Sequence, residues 1–299
     1  MLPLSDAASR IKGQEMFQIL ATARELERKG KEILHFELGD PDFSTPENIV
    51  NAAFNSLKEG DTHYTPSSGL HDLKLMAQKV TLKSRGFTPD IDQLVVTSGA
   101  NVQIYYAIAC TVNPGDEVIV PDPGFVSYYS ILNFLNVKSV PVPLREEMGF
   151  TMNPEDIEKA ITPRTKMIII NSPSNPTGGV VNKEQWQQIY NIAVKNNLYI
   201  LSDEIYARMI YPDSEKFFSP SEFDKCKTNT IIVNGFSKAY AMTGWRLGVL
   251  TAPNHVAERV ALLQETQLSC VPGFIQKAGI EALSDRSTPY VKNMLEEYR

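Results

Sequence analysis

Lys238 and Arg246 stand eight positions apart in Phe236-Ser237-Lys238-Ala239-Tyr240-Ala241-Met242-Thr243-Gly244-Trp245-Arg246-Leu247-Gly248. A lysine just after an apolar strand is a candidate Schiff-base amine. Burial or a neighbouring cation lowers its pKa and frees the nucleophile. Arg246 could supply that cation and bind a phosphate through its planar fork. A surface lysine and a salt-bridged arginine would leave the same trace. Asp203 ends another apolar run, ahead of Glu204-Ile205-Tyr206. A carboxylate there must be paired or shift its pKa. It could hold a proton on a ring nitrogen, or simply cap a helix.

Two further segments can recognise a ligand. Ser98-Gly99-Ala100-Asn101 opens a helical stretch with small residues that leave backbone N–H groups accessible, a seat for phosphate. A tight strand-to-helix turn with a serine cap explains it equally. Ser172-Pro173-Ser174-Asn175-Pro176-Thr177-Gly178-Gly179 is a loop of fixed shape. Asn175 precedes a proline, so its backbone is held extended and its amide projects from a stiff platform. Together the four segments offer an anion seat, a ring-nitrogen acid, a phenol or amide for a ring oxygen, and an amine. Those are the contacts pyridoxal phosphate needs.

The elements that must position these residues follow from periodicity. Short β-branched runs at 94–98, 117–121, 166–171, 198–203, 230–235 and 247–251 read as strands. Helix-period stretches lie between several of them; Trp186, Ile189, Tyr190 and Ala193 recur on one face. The pattern predicts an α/β fold with a mostly parallel sheet flanked by helices. Ligands of such sheets bind at the carboxyl ends of strands. Residues 16–28 read as an amphipathic helix. Thr45-Pro46-Glu47 and Asn153-Pro154-Glu155 read as helix starts, with the first residue of each as N-cap. Val291, Met294, Leu295 and Tyr298 keep helical spacing.

The chain has 299 residues, enough for two domains or one large one. Its charge of −6 argues against a general nucleic-acid binder. Its longest apolar runs, such as 167–170, are far too short to span a membrane. Cys110, Cys226 and Cys270 form no CxxC pair and suit a reducing, cytoplasmic compartment. The four histidines show no metal-ligand spacing, so no metal site is expected.

Six motifs in order carry a resemblance: Leu38-Gly39-Asp40-Pro41-Asp42-Phe43, Tyr64-Thr65-Pro66-Ser67-Ser68-Gly69-Leu70, Pro114-Gly115-Asp116-Glu117-Val118, Asn175-Pro176-Thr177-Gly178, Asp203-Glu204-Ile205-Tyr206, and Ser237-Lys238 with Gly244-Trp245-Arg246-Leu247-Gly248. The chain resembles class I/II aminotransferases, fold-type I enzymes dependent on pyridoxal 5'-phosphate. The resemblance implies a seven-stranded-type sheet in the large domain and a partial small domain. It implies that Lys238 carries the cofactor as a Schiff base and shuttles the substrate Cα proton. Asp203 would keep the pyridine nitrogen protonated, and Tyr206 and Asn175 would bond the ring oxygen. Ser237, Arg246 and the backbone of Gly99 and Ala100 would bind the phosphate, with Asn101 beside them. Phe125 would stack on the ring. Gly39 would lie beside the substrate carboxylate, and Tyr64 would reach the neighbouring subunit of a homodimer. The substrates would be an amino acid and a 2-oxo acid, in a ping-pong exchange.

The resemblance also divides the chain. Residues 1–45 would form an N-terminal arm and part of the small domain, 46–285 the large cofactor-binding domain, and 286–299 the start of a helix leading to a C-terminal segment that is missing. Family members carry there an arginine for the substrate carboxylate, and no residue here matches it. Lyase or synthase chemistry on the same scaffold, or cofactor binding with little activity, are the alternatives. A hydrolase elbow in Gly235-Phe236-Ser237-Lys238-Ala239 lacks its final glycine and has its acid after His255 rather than before it.

Overall fold

A computed structural model describes residues 2–299. Seven strands form one sheet: β1 (Leu94–Thr97), β2 (Glu117–Asp122), β3 (Lys138–Pro143), β4 (Thr165–Asn171), β5 (Tyr199–Asp203), β6 (Thr230–Val233) and β7 (Gly248–Thr251). Their spatial order is β1-β7-β6-β5-β4-β2-β3. Only β7 runs antiparallel to its neighbours, β1 and β6. The others all point the same way.

Twelve α-helices accompany the sheet: α1 (Asp6–Ser9), α2 (Glu15–Arg28), α3 (Glu47–Lys58), α4 (His71–Arg85), α5 (Ala100–Thr111), α6 (Val126–Phe134), α7 (Pro154–Ala160), α8 (Lys183–Lys195), α9 (Ser221–Asp224), α10 (Asn254–Leu268), α11 (Gly273–Ala282) and α12 (Thr288–Tyr298) among the described residues.

Strand residues alternate between two covered faces. Val118, Val120, Met167 and Ile169 join a core with α5, α6 and α10. Ile119, Ile168 and Ile170 point the other way, against Trp186 and Ile189 of α8. Leu94, Val96 and Val249 meet Ile49 of α3 and Leu73 of α4 on that same side. Each fully buried aliphatic side chain contributes about 1.5–3 kcal/mol. This two-faced burial is why the strands read as unbroken apolar runs.

The expected mostly parallel sheet is present. The strand missing from the periodicity is β3, an edge strand carrying Lys138, Pro141 and Pro143. Charge and proline protect an open sheet edge and hide the strand signal. Asn153 caps α7 as expected, accepting from the Glu155 N–H. The cap reading of Thr45 is corrected. Pro46 takes the cap position of α3, and the Thr45 hydroxyl bonds the chain 196 residues away, at Ala241. The cap of α5 is Gly99, not Ser98.

Candidate active site

The parallel strands all deliver their carboxyl ends to one edge of the sheet. β7 reverses, so its first residue, Gly248, pairs with Thr97, the last residue of β1. The residue two before β7 therefore arrives where the other strands finish. That residue is Arg246. A Cβ added to Gly99 would lie 2.6 Å from an Arg246 guanidinium nitrogen, so the arginine rests directly on the glycine. Gly99 has φ +87, a conformation that costs a side-chain-bearing residue energy. Gly99 opens α5, whose first N–H groups lack helical acceptors and favour an anion. Ala100 is half-buried there and Asn101 exposed.

Asp203 ends β5 level with Asn171 on β4 and Val233 on β6. It is buried. Burial pushes its carboxyl up to about 6, against the opposing pull of two hydrogen bonds. Tyr128 Oη donates to Oδ2 at 2.7 Å, and the Ile205 N–H donates to Oδ1 at 3.2 Å. Tyr128, on α6, is itself fully buried and meets Phe125 edge-on, with ring centroids 5.6 Å apart. Phe125 stands at the cap of α6 and packs on the core with one side.

Asn171 sets the neighbouring loop. Its carboxamide donates to the Asp203 carbonyl at 2.9 Å and accepts the Asn175 N–H at 2.6 Å. The Asn175 side chain, the Tyr206 hydroxyl and the Ser237 hydroxyl make no hydrogen bond among the described residues. Tyr206 is pushed up to about 12, by burial and then by the charge of Asp203. It therefore stays a donor at neutral pH.

Lys238 follows β6 and is half-buried. Its amine donates to the Gly39 carbonyl. It lies 6.0 Å from the Tyr206 ring centre. Burial lowers its pKa, and the Arg246 charge lowers it further against the pull of Asp40. At Gly39 a Cβ would meet nothing within 4 Å. The protein itself does not demand glycine there, so any demand comes from what binds in that space. Tyr64 projects into solvent, 88% exposed.

The expected residues thus gather at one sheet edge, apart from Tyr64, which stands free. Tyr128 and Asn171 escaped the sequence reading. Their signal is three-dimensional: each bonds a partner on another element. The hydrolase reading finds no support, because His255 bonds Tyr199 at 3.1 Å rather than Ser237. No three His, Cys, Asp or Glu side chains come together as metal ligands among the described residues.

Comparison with known proteins shows the family. The family description "Aminotransferase class I and II" matches residues 31–299. The chain belongs to this family. Like other class I and II aminotransferases of the aspartate aminotransferase type, this aminotransferase depends on pyridoxal phosphate and transfers amino groups. It is 38% identical over 293 residues to a probable aspartate/prephenate aminotransferase of Aquifex aeolicus, covering 97% of this chain and 74% of that one. It is 38% identical to aromatic-amino-acid aminotransferase 2 of Thermococcus litoralis, covering 99% of this chain and 76% of that one. The solved aspartate aminotransferase of Thermus thermophilus with maleate superposes with a TM-score of 0.95 at 34% identity, covering 100% of this chain and 78% of that one.

The residues present in this aminotransferase fit the cofactor. The Gly99–Arg246 cradle suits a phosphate, and the buried Asp203 carboxylate lacks a cation. Asn175, Tyr206 and Ser237 hold unused polar groups.

Proposed function

We propose that this chain moves an amino group from an amino acid to a 2-oxo acid by a ping-pong exchange, with Lys238 as its catalytic residue. The observation that supports this best is the meeting of three groups at adjacent strand ends. They are an amine of lowered pKa after β6, a buried carboxyl on the last residue of β5, and an arginine resting on Gly99 before β7. When bound, pyridoxal phosphate supplies an aldehyde that takes the amino group and a ring that spreads the electrons left at the substrate Cα.

In this reading Arg246, Ser237, Asn101 and the N–H groups of Gly99 and Ala100 hold the phosphate. Asp203 holds the proton of the ring nitrogen, and that cation returns the carboxyl to its charged form. Tyr206 and Asn175 donate to the ring oxygen. Phe125 stacks on the ring, worth on the order of 1 kcal/mol beyond its buried area. Lys238, its pKa lowered by burial, would move the substrate Cα proton at Nζ. Gly39 leaves room for the substrate carboxylate.

The reading extends to the assembly. It makes the protein a homodimer in which Tyr64 of the partner subunit reaches each phosphate. The exposed Tyr64 ring and the exposed Phe17, Ile19 and Phe36 of the arm support it. It divides the chain into 1–45 as arm and part of a small domain, 46–285 as the large cofactor-binding domain and 286–299 as the start of a helix of the small domain. It also places the protein in the cytoplasm, in line with three unpaired cysteines; among the described residues no helix is long and apolar enough to cross a membrane.

Borohydride reduction after incubation with pyridoxal phosphate, followed by peptide mass mapping, tests the central claim. We expect the pyridoxyl group on Lys238. A label elsewhere, or none on a folded chain, rejects the assignment. Amino transfer that depends on an added 2-oxo acid, without release of ammonia, separates transamination from elimination.

A further inference from the structure

The turn from Lys238 to Arg246 is held in an unfavourable shape. Ala241 (φ 50) and Arg246 (φ 53) are both left-handed, although neither is glycine. Such a conformation persists only where the surroundings over-determine it. Most of the bonds in this turn are local. The Ala241 N–H donates to the Lys238 carbonyl at 3.3 Å and the Met242 N–H to the Ser237 carbonyl at 3.1 Å. The Trp245 N–H donates to the Met242 carbonyl at 3.2 Å, and Arg246 Nη1 to the Thr243 carbonyl at 2.7 Å. These bonds fold the turn on itself and fix nothing outside it.

Ala239, Tyr240 and Met242 pack into the core and the Lys238 amine reaches the Gly39 carbonyl, but a single hydroxyl from another element bonds the part of the turn between Ala241 and Trp245. Thr45 Oγ1 donates to the Ala241 carbonyl at 2.5 Å and accepts from Trp245 Nε1 at 3.0 Å. It thus grips one strained residue and the immediate neighbour of the other. Both the donor and the acceptor capacity of the hydroxyl are used. Thr45 is anchored in turn, since it leads into α3, whose Ile49 and Ala53 are buried in the core beside Leu247.

We infer that Thr45 is a positioning residue for Arg246. It holds the turn in the shape that lays the guanidinium on Gly99 and aims it at an anion. The inference rests on the reading of Arg246 as a phosphate ligand. It adds a residue from the opposite end of the sequence that acts only through Trp245 and Ala241.

The test uses Thr45→Val, which keeps the shape and removes both bonds, and Thr45→Ser, which keeps the hydroxyl. Affinity is measured for pyridoxal phosphate and for pyridoxal, which lacks the phosphate. Thr45→Val should weaken pyridoxal phosphate about tenfold, the equivalent of one hydrogen bond, and leave pyridoxal unchanged. Thr45→Ser should behave like the parent. Trp245→Phe should weaken pyridoxal phosphate in the same direction and add nothing on top of Thr45→Val. It carries the test if the valine variant does not fold. Equal loss for both ligands, fully additive losses, or failure of serine to rescue would overturn the inference.

Hydrogen exchange on the full chain without cofactor gives an arm independent of Arg246 chemistry. Residues 239–247 should exchange faster in Thr45→Val and not in Thr45→Ser. Unchanged exchange overturns the strut. Arg246→Gln serves as the control: if it leaves the preference for the phosphorylated ligand intact, the phosphate reading fails, and exchange alone decides the role of Thr45.

Discussion

Asp203 carries its charge reluctantly. Its carboxyl titrates at about 6 in the folded chain, against 3.8 for an unperturbed aspartate, because burial penalises the anion. The folded state therefore binds more protons than the unfolded state between those two values. Stability falls as pH rises through that window, and the loss persists above it. The full effect is on the order of 3 kcal/mol at most. Urea midpoints of the cofactor-free protein should fall from pH 4.5 to pH 6.5, and Asp203→Asn should flatten that slope. A parent protein with no such fall would contradict the burial argument. The same substitution should weaken cofactor binding, since an amide cannot pair with a ring cation. Asp203 was legible in the sequence because it ends an apolar run. Its partner Tyr128, 75 residues earlier, was not, because nothing local marks a tyrosine hydroxyl that points at a distant strand.

At the scale of elements, the site depends on how the strand ends are pinned. Directly after Asp203, Glu204 accepts from Arg85 at the end of α4, from Ser202 at 3.0 Å and from Ser219. Both members of the ion pair are buried, at 5% and 1% side-chain exposure. Removing one partner of such a pair leaves an uncompensated buried charge and costs about 3–5 kcal/mol. Arg85→Met should lower unfolding stability by that amount, measured in urea. Arg85→Met with Glu204→Gln should recover much of it. A single variant as stable as the parent would show that the serines alone satisfy Glu204. Most strands were readable from their β-branched runs, and their carboxyl ends pointed to the site. β3 was not, because prolines at 141 and 143 break the pattern that marks a strand. Thr45 looked like a cap because its neighbours fit a helix start, while its true partners lie about two hundred residues further along the chain.

At the scale of the molecule, the proposed dimer makes a prediction that a monomer does not. Tyr64 is 88% exposed, while Lys238 is half-buried at the sheet edge of its own chain. If Tyr64 serves the partner subunit, Tyr64→Ala and Lys238→Ala chains should complement each other. A mixed dimer pairs an intact lysine with an intact tyrosine at one of its sites. Refolding the two together should restore tight cofactor binding in a fraction of sites, and neither alone should show it. No recovery on mixing would place Tyr64 in service of its own chain, or of none.

The reversed strand has a consequence in time. β7 is the last strand to be synthesised, yet it lies between β6 and β1 in the sheet. A nascent chain that has released β1 through β6 must keep a slot open until Gly248–Thr251 emerges and inserts. Such long-range closure is slow and leaves strand edges uncovered meanwhile. The Gly99–Arg246 cradle lies at this closing seam, so it comes together only when β7 inserts. In refolding, capture of the cofactor would then follow completion of the sheet rather than collapse of the chain, and its absorbance would serve as a clock for that last step.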